Sequence, residues 1–117
     1  MINVSKSAET IQDGIKNMMA GAKEDYAQTM GRNDSAYTRQ KLENYESQTT
    51  VREGKKYIKV IYDRSVFAFI VKEDFKHFKK GDVLKPAGWA APALNQPRGN
   101  VLTGNYPIQW TGPLYLN

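Results

Sequence analysis

The chain has 117 residues, the size of one domain, and its 40% hydrophobic and 25% charged residues are typical of a folded protein. It has no cysteine and one histidine, which argues against disulfides, thiol nucleophiles and the usual zinc sites. No apolar run approaches the ~20 residues needed to span a bilayer, and residues 1–6 lack a signal-peptide pattern, so we expect a cytoplasmic protein.

The positive charge is concentrated in the middle of the chain. Of the net charge of +5, residues 1–50 contribute −1, from six Lys/Arg against seven Asp/Glu, and residues 51–117 contribute +6, from eleven against five. Such a concentration attracts nucleic acid, anionic lipid or an acidic protein surface. A solvated surface that keeps the protein soluble has the same composition.

A long helix is predicted at the start of the chain. Apolar residues recur at steps of three and four from Ile11 to Met30, which favours a helix over about 8–30. Gly14 and Gly21 each cost about 1 kcal/mol relative to Ala inside a helix. We therefore expect the helix to depend on tertiary packing or to break near one of them.

A second, thinner helix is predicted after a break. Residues 31–34 favour a helix stop followed by a restart, and the helix then covers about 35–47. Its apolar face consists of Tyr37, Leu42 and Tyr45. The two helices would form an antiparallel hairpin within a helical part of about 1–48.

The β-rich part covers about 49–117. Residues 57–62 and 65–71 are rich in β-branched and aromatic residues, and Asp63-Arg64 between them predicts a hairpin. The second strand is apolar on both faces, which is typical of a central strand that is covered on each side.

Further short strands are predicted at 83–85, 101–103 and 108–111, and residues 114–116 are expected to pack on the domain. Five prolines and glycines in residues 86–100 favour an ordered connection in which Trp89 and Leu94 are buried. We therefore predict a single α+β domain. Its N-terminal helical hairpin would pack on a small, curled, mostly antiparallel five-stranded sheet or an SH3- or OB-like barrel.

Several blocks of the β-rich part resemble small uncharacterised proteins encoded by tailed bacteriophages. The resemblance covers about residues 55–116 and is carried by residues 56–60, 65–69, 78–85, 89–93, 98–101 and 110–113. It implies a phage origin and action in the cytoplasm of an infected host. It carries no catalytic or binding residue over to this chain, since that family has no established activity.

Nothing in the sequence matches a common catalytic motif: GxGxxG, GxxxxGK[ST], GxSxG and HExxH are all missing. His77 among lysines could be the acid or base of a nuclease, but an exposed loop histidine is the favoured interpretation. Asp82 with Asp74 or Asp63 could bind a divalent ion, although carboxylates at turns usually serve turn geometry. We expect no enzymatic activity, no cofactor and no metal site.

Nucleic-acid binding is better supported, because aromatic residues alternate with cations in residues 55–80, as in sheets that stack bases and neutralise phosphates. Alternation places Tyr57 and Lys59 on one face of the first hairpin strand and Lys56, Ile58, Val60 and Tyr62 on the other. The competing interpretation is that the aromatics are core and the lysines extend around it. The candidate nucleic-acid-binding or partner-binding residues are Lys55, Lys56, Tyr57, Lys59, Arg64, Lys76, His77, Lys79, Lys80 and Arg98.

The sequence favours two classes of function. The first is a non-enzymatic phage accessory protein that binds nucleic acid or a ribonucleoprotein through this surface. The second is a protein-binding inhibitor of a host enzyme or defence system, which would use the basic face or the second helix. A role as a virion component is a less favoured hypothesis.

Overall fold

The computed structural model describes residues 1–30 and 35–114 and has an α+β fold. Two helices, one 3-10 turn and six strands follow one another in this part of the chain. In order they are β1 (Ile2–Val4), α1 (Ile11–Met30), α2 (Ala36–Glu43), the 3-10 turn (Glu46–Gln48), β2 (Thr49–Glu53), β3 (Tyr57–Tyr62), β4 (Ser65–Val71), β5 (Val83–Leu84) and β6 (Tyr106–Ile108).

The main sheet has four antiparallel strands in the order β2-β3-β4-β5. Its centre is the predicted hairpin of β3 and β4, whose turn contains Asp63 in the left-handed region (φ 57°). The prediction that β4 is covered on both faces is confirmed. Ala68 and Ile70 belong to the large core cluster under α1, whereas Phe69 and Val71 belong to a smaller cluster on the opposite face.

A separate two-stranded ribbon, β1 paired antiparallel with β6, completes the strands among the described residues. The described residues thus form a four-stranded sheet and a two-stranded ribbon instead of the predicted single five-stranded sheet, and they form no closed barrel. The ribbon is tied to α1 through the buried Asp25 carboxylate. This group accepts a hydrogen bond from the Trp110 backbone N–H (2.9 Å) and contacts the Met1 amino group.

Helix α1 is continuous through both of its glycines, so the alternative of a break near one of them is wrong. A Cβ at position 14 would lie 2.5 Å from the Val101 carbonyl oxygen, and one at position 21 would lie 2.9 Å from a Val4 methyl. The missing side chains therefore let the ribbon and the 101 loop approach the helix axis closely.

Several boundaries differ from the sequence-based expectation. Helix α2 is only eight residues long, because the chain tightens into the 3-10 turn at Glu46. Residues 101–103 form a turn, so the strand in this region begins at Tyr106 instead. The predicted break at 31–34 and the packing of residues 115 and 116 lie outside the described residues.

The Pro/Gly-rich connection does not bury its large apolar side chains as predicted. Trp89 and Leu94 are each 51% exposed, and Ala90 and Ala91 are exposed as well. The prolines supply part of the packing instead, since Pro92 is buried and forms an isolated bridge with Pro86.

Over residues 1–30 and 35–114, no helix combines the length and the apolar character that crossing a membrane would require.

Gly14→Ala should lower the free energy of unfolding by about 1–3 kcal/mol, although alanine is the better helix former, because its methyl group meets the backbone of Val101. Urea denaturation measures the change. Gly88→Ala is the matched control, since a Cβ there meets no atom within 4 Å and stability should stay unchanged. Equal stability of the Gly14→Ala and Gly88→Ala proteins would contradict the close packing of α1.

Candidate nucleic-acid interface

The face of the main sheet that points away from α1, called the outer face here, carries the aromatic residues Tyr57 and Phe69. Tyr57 and Lys59 both lie on it, as strand alternation predicted, and Lys59 is the cross-strand neighbour of Phe69. The rings of Tyr57 and Phe69 meet edge to face with centroids 5.9 Å apart. One end of the hairpin therefore has a continuous aromatic floor.

A tight turn adds two more rings to this floor. Phe75 and Phe78 exchange backbone hydrogen bonds of 3.1 and 2.9 Å across Lys76 and His77. Because directly paired residues point to the same side, the two phenyl rings come within 5.3 Å of each other. Phe78 is fully buried, whereas Phe75 stays half-buried against Tyr57 at 5.9 Å.

Two lysines lie over the aromatic rings. The Lys59 ammonium is 4.5 Å from the centre of the Trp89 ring and 5.7 Å from that of Phe69. The Lys56 ammonium is 5.6 Å from the centre of the Phe75 ring. Such cation–π contacts hold the charges next to flat, apolar surfaces.

Arg52 and Lys55 complete the positive charge of this region. Arg52 is the cross-strand partner of Lys59, so the two cations share the outer face. A cleft of about 330 Å³ lies between these side chains, Lys56 and Tyr57, and its one carboxylate among the described residues, Glu53, is paired with the Lys72 ammonium at 3.2 Å. Within residues 1–30 and 35–114, the four cations take part in none of the ion pairs. We call Arg52, Lys55, Lys56, Tyr57, Lys59, Phe75 and Trp89 the outer-face site.

The competing interpretation of the aromatics as core holds for part of the set. Phe69 and Phe78 are buried, while Tyr57, Phe75 and Trp89 retain exposed surface. Tyr62 lies on the inner face and packs against the large core cluster. Burial, followed by the nearby Asp63 carboxylate, raises the pKa of Tyr62 to about 12.

His77 is placed for a structural contact. Its Nε2 atom lies 2.8 Å from the Asn95 carbonyl oxygen, and its ring stacks on Phe78 with centroids 4.0 Å apart. Asn95 also accepts a 3.2 Å hydrogen bond from the Arg98 guanidinium. His77 therefore joins the 75–78 turn to the Pro/Gly-rich connection beside the outer-face site, whereas the Arg98 contact lies within that connection.

The other lysines of this loop are exposed around a turn that carboxylates organise. The Asp82 carboxylate accepts from the Lys79 backbone N–H (2.8 Å), and the Asp74 carboxylate accepts from that of Lys80 (2.7 Å). The Lys79 ammonium also lies 3.7 Å from Asp74. These acids serve turn geometry, and no group of three or more potential ligands in the described ranges could hold a metal ion.

Two of the predicted placements need correction. Arg64 lies in the β3–β4 turn, at the opposite end of the hairpin from Lys55 and Lys56, roughly 20 Å away along a six-residue strand. Lys56 was assigned to the face opposite Tyr57, but it precedes β3, so strict alternation does not hold it there. Its ammonium lies over Phe75 on the outer face.

The sequence did not identify Arg52 and Trp89 as residues of the site. β2 was not predicted, so Arg52 could not be placed opposite Lys59. Trp89 was expected to be buried because indole is large and apolar. The prolines and glycines around it were the available signal, since they favour an exposed loop.

A model of a family of unknown function (DUF7717) matches residues 2–116, so the chain belongs to this family. The match includes the helical N-terminus as well as the β-rich part. No curated protein and no solved structure matches the chain.

Proposed function

We propose that this family member binds single-stranded nucleic acid, free or within a ribonucleoprotein, through its outer-face site. It would act as a non-enzymatic phage accessory protein in the cytoplasm of an infected bacterium. The phage setting is supported by the resemblance of residues 55–116 to tailed-bacteriophage proteins.

The observation that carries the proposal is the combination of free cations with exposed rings on one end of a sheet. Arg52, Lys55, Lys56 and Lys59 are available to phosphates, because none of them is neutralised by a carboxylate of the described chain. Trp89 offers half of its surface beside the Lys59 ammonium. A base stacked on the indole would place its phosphate near Lys59.

The geometry favours a single strand over a duplex. Aromatic faces bind unstacked bases, which a duplex keeps inside its stack. Stacking is tolerant of sequence since every base has a flat face, and we therefore expect little sequence preference. An acidic protein surface, the alternative partner, would be attracted by the same cations and would also gain from packing on an exposed indole, so experiment has to separate the two partners.

Charge reversal by Lys56→Glu with Lys59→Glu should weaken binding of a mixed-sequence single-stranded oligonucleotide at least tenfold at low salt. If about four phosphates are neutralised, the logarithm of the binding constant should fall with log[salt] at a slope of about −3, and about −1.4 in the variant. Fluorescence anisotropy at several salt concentrations measures both quantities.

The matched control for this pair is Lys6→Glu with Arg64→Glu, which changes the net charge equally at exposed positions away from the site. Its affinity should stay within about threefold of the parent protein. Equal losses in the two double variants would mean that net charge alone attracts the nucleic acid, and this would contradict a localised site.

Trp89→Ala tests stacking separately from charge. Loss of one base–aromatic stack should reduce affinity by about 1–3 kcal/mol without changing the salt slope. Leu94→Ala is the control, because Leu94 is equally exposed in the same connection and its substitution also removes a large apolar side chain. Equal affinities of the two variants would exclude stacking on the indole and would leave charge alone as the source of the affinity.

A further inference from the structure

The edge strand β2 and helix α1 enclose an apolar groove that the outer-face site does not use. Its volume is about 500 Å³, and its apolar lining comes from Ile15, Met19, Ala20, Tyr45 and Val51. Val51 is 46% exposed although it lies on a strand. The groove opens beside the free edge of the main sheet, since β2 pairs only with β3.

The direction of the backbone groups of β2 follows from its ladder with β3. Gln48 accepts from Asp63, and the Gly54 N–H donates to Tyr57, so the even-numbered residues point toward β3. The odd-numbered residues Thr49, Val51 and Glu53 consequently point their N–H and C=O groups outward.

One of these outward groups already has a partner, because the Thr49 N–H donates to the Glu46 carbonyl that ends the 3-10 turn. No backbone hydrogen bond within residues 1–30 and 35–114 involves the other outward groups. The edge therefore presents two donors, at Val51 and Glu53, and three acceptors, at Thr49, Val51 and Glu53.

We propose that a second copy of this chain pairs with this edge, β2 against β2, antiparallel about a two-fold axis at Val51. This register pairs Val51 with itself and Thr49 with Glu53 of the second copy. Val51 N–H donates to the opposite Val51 carbonyl, and Glu53 N–H donates to the opposite Thr49 carbonyl. Each free donor thus finds a free acceptor, which gives four backbone hydrogen bonds.

The side chains of β2 are complementary to themselves in the same register. Val51 meets its own copy on the floor of the two joined grooves, and Arg52 lies opposite Thr50, so no like charges face each other. Centring the axis on Arg52 would instead oppose two guanidinium groups. Centring it on Thr50 would leave Glu53 outside the paired segment.

The proposed dimer does not depend on nucleic-acid binding. A two-fold axis perpendicular to the sheet keeps both outer faces on one side of an eight-stranded sheet. The dimer therefore places two outer-face sites on the same side of one sheet, and a single strand could contact both if these sites bind nucleic acid.

The test measures mass and amide exchange of the full chain as a function of concentration. Sedimentation equilibrium should show a mass rising from 13.3 kDa toward twice that value. Hydrogen exchange at the Val51 and Glu53 amides should slow as the dimer forms, whereas the Thr49 amide should be protected at every concentration. A monomer up to about millimolar concentration would overturn the proposal.

Of the backbone hydrogen-bonding groups, Val51→Pro removes only an outward N–H, so the β2–β3 ladder should survive while the dimer is lost. Val51→Thr keeps both the N–H and the branched side chain and should still dimerise. Val51→Lys retains the N–H but sets two ammonium groups at the axis, and it provides a second loss-of-dimer variant if the proline protein unfolds. A dimer that persists in the folded Pro and Lys variants would place the interface elsewhere. If the groove instead binds a peptide of another protein, the purified chain should stay monomeric, and this result also counts against the proposal.

Discussion

The close approach of helix α1 to the chain that covers it is the constraint on which the rest of the structure depends. Gly14 and Gly21 are seven residues apart, two turns of helix, and so they lie on the same face. Val101 occupies the space over the first, and Val4 and Ile108 occupy it over the second. A side chain at either position would push the ribbon and the 101 loop away and would open the large core cluster.

This packing decides which face of the main sheet is available for binding. Since α1 and its partners cover the inner face, Ile58, Val60 and Ile70 are sealed in the core. Within residues 1–30 and 35–114, the 75–78 turn and Trp89 of the Pro/Gly-rich connection lie against the outer face, and its hydrophobic cluster includes no helix residue. Its rings are therefore partly exposed and two of its lysines lie over them, the arrangement on which the proposed binding of nucleic acid rests. The same helix leaves β2 at an open edge, because α1 walls the groove beside it without covering the strand.

The sequence allowed prediction of the elements whose local pattern is strong. The β3–β4 hairpin follows from strand alternation and α1 from helical periodicity. The alternation also predicted that Tyr57 and Lys59 share one face of β3, opposite Ile58 and Val60. β1 was missed and β6 was predicted two residues too late, at 108–111, because each is three residues long and is a strand only through its partner about 100 residues away. β2 was missed since its residues are mostly polar and exposed. The prediction of the site was therefore incomplete. The position of Arg52 depends on the pairing of β2 with β3, and the exposure of Trp89 depends on how the prolines fold the connection.

NMR titration of the isotope-labelled chain with a short mixed-sequence oligonucleotide tests most directly whether single-stranded nucleic acid binds on the outer face. Binding there should give salt-sensitive shifts that cluster at Tyr57, Lys59 and Phe75 and include the Trp89 indole N–H, with α1 and the Arg64 turn little changed. An absence of shifts at low salt, or shifts centred on the α1–β2 groove, would contradict it.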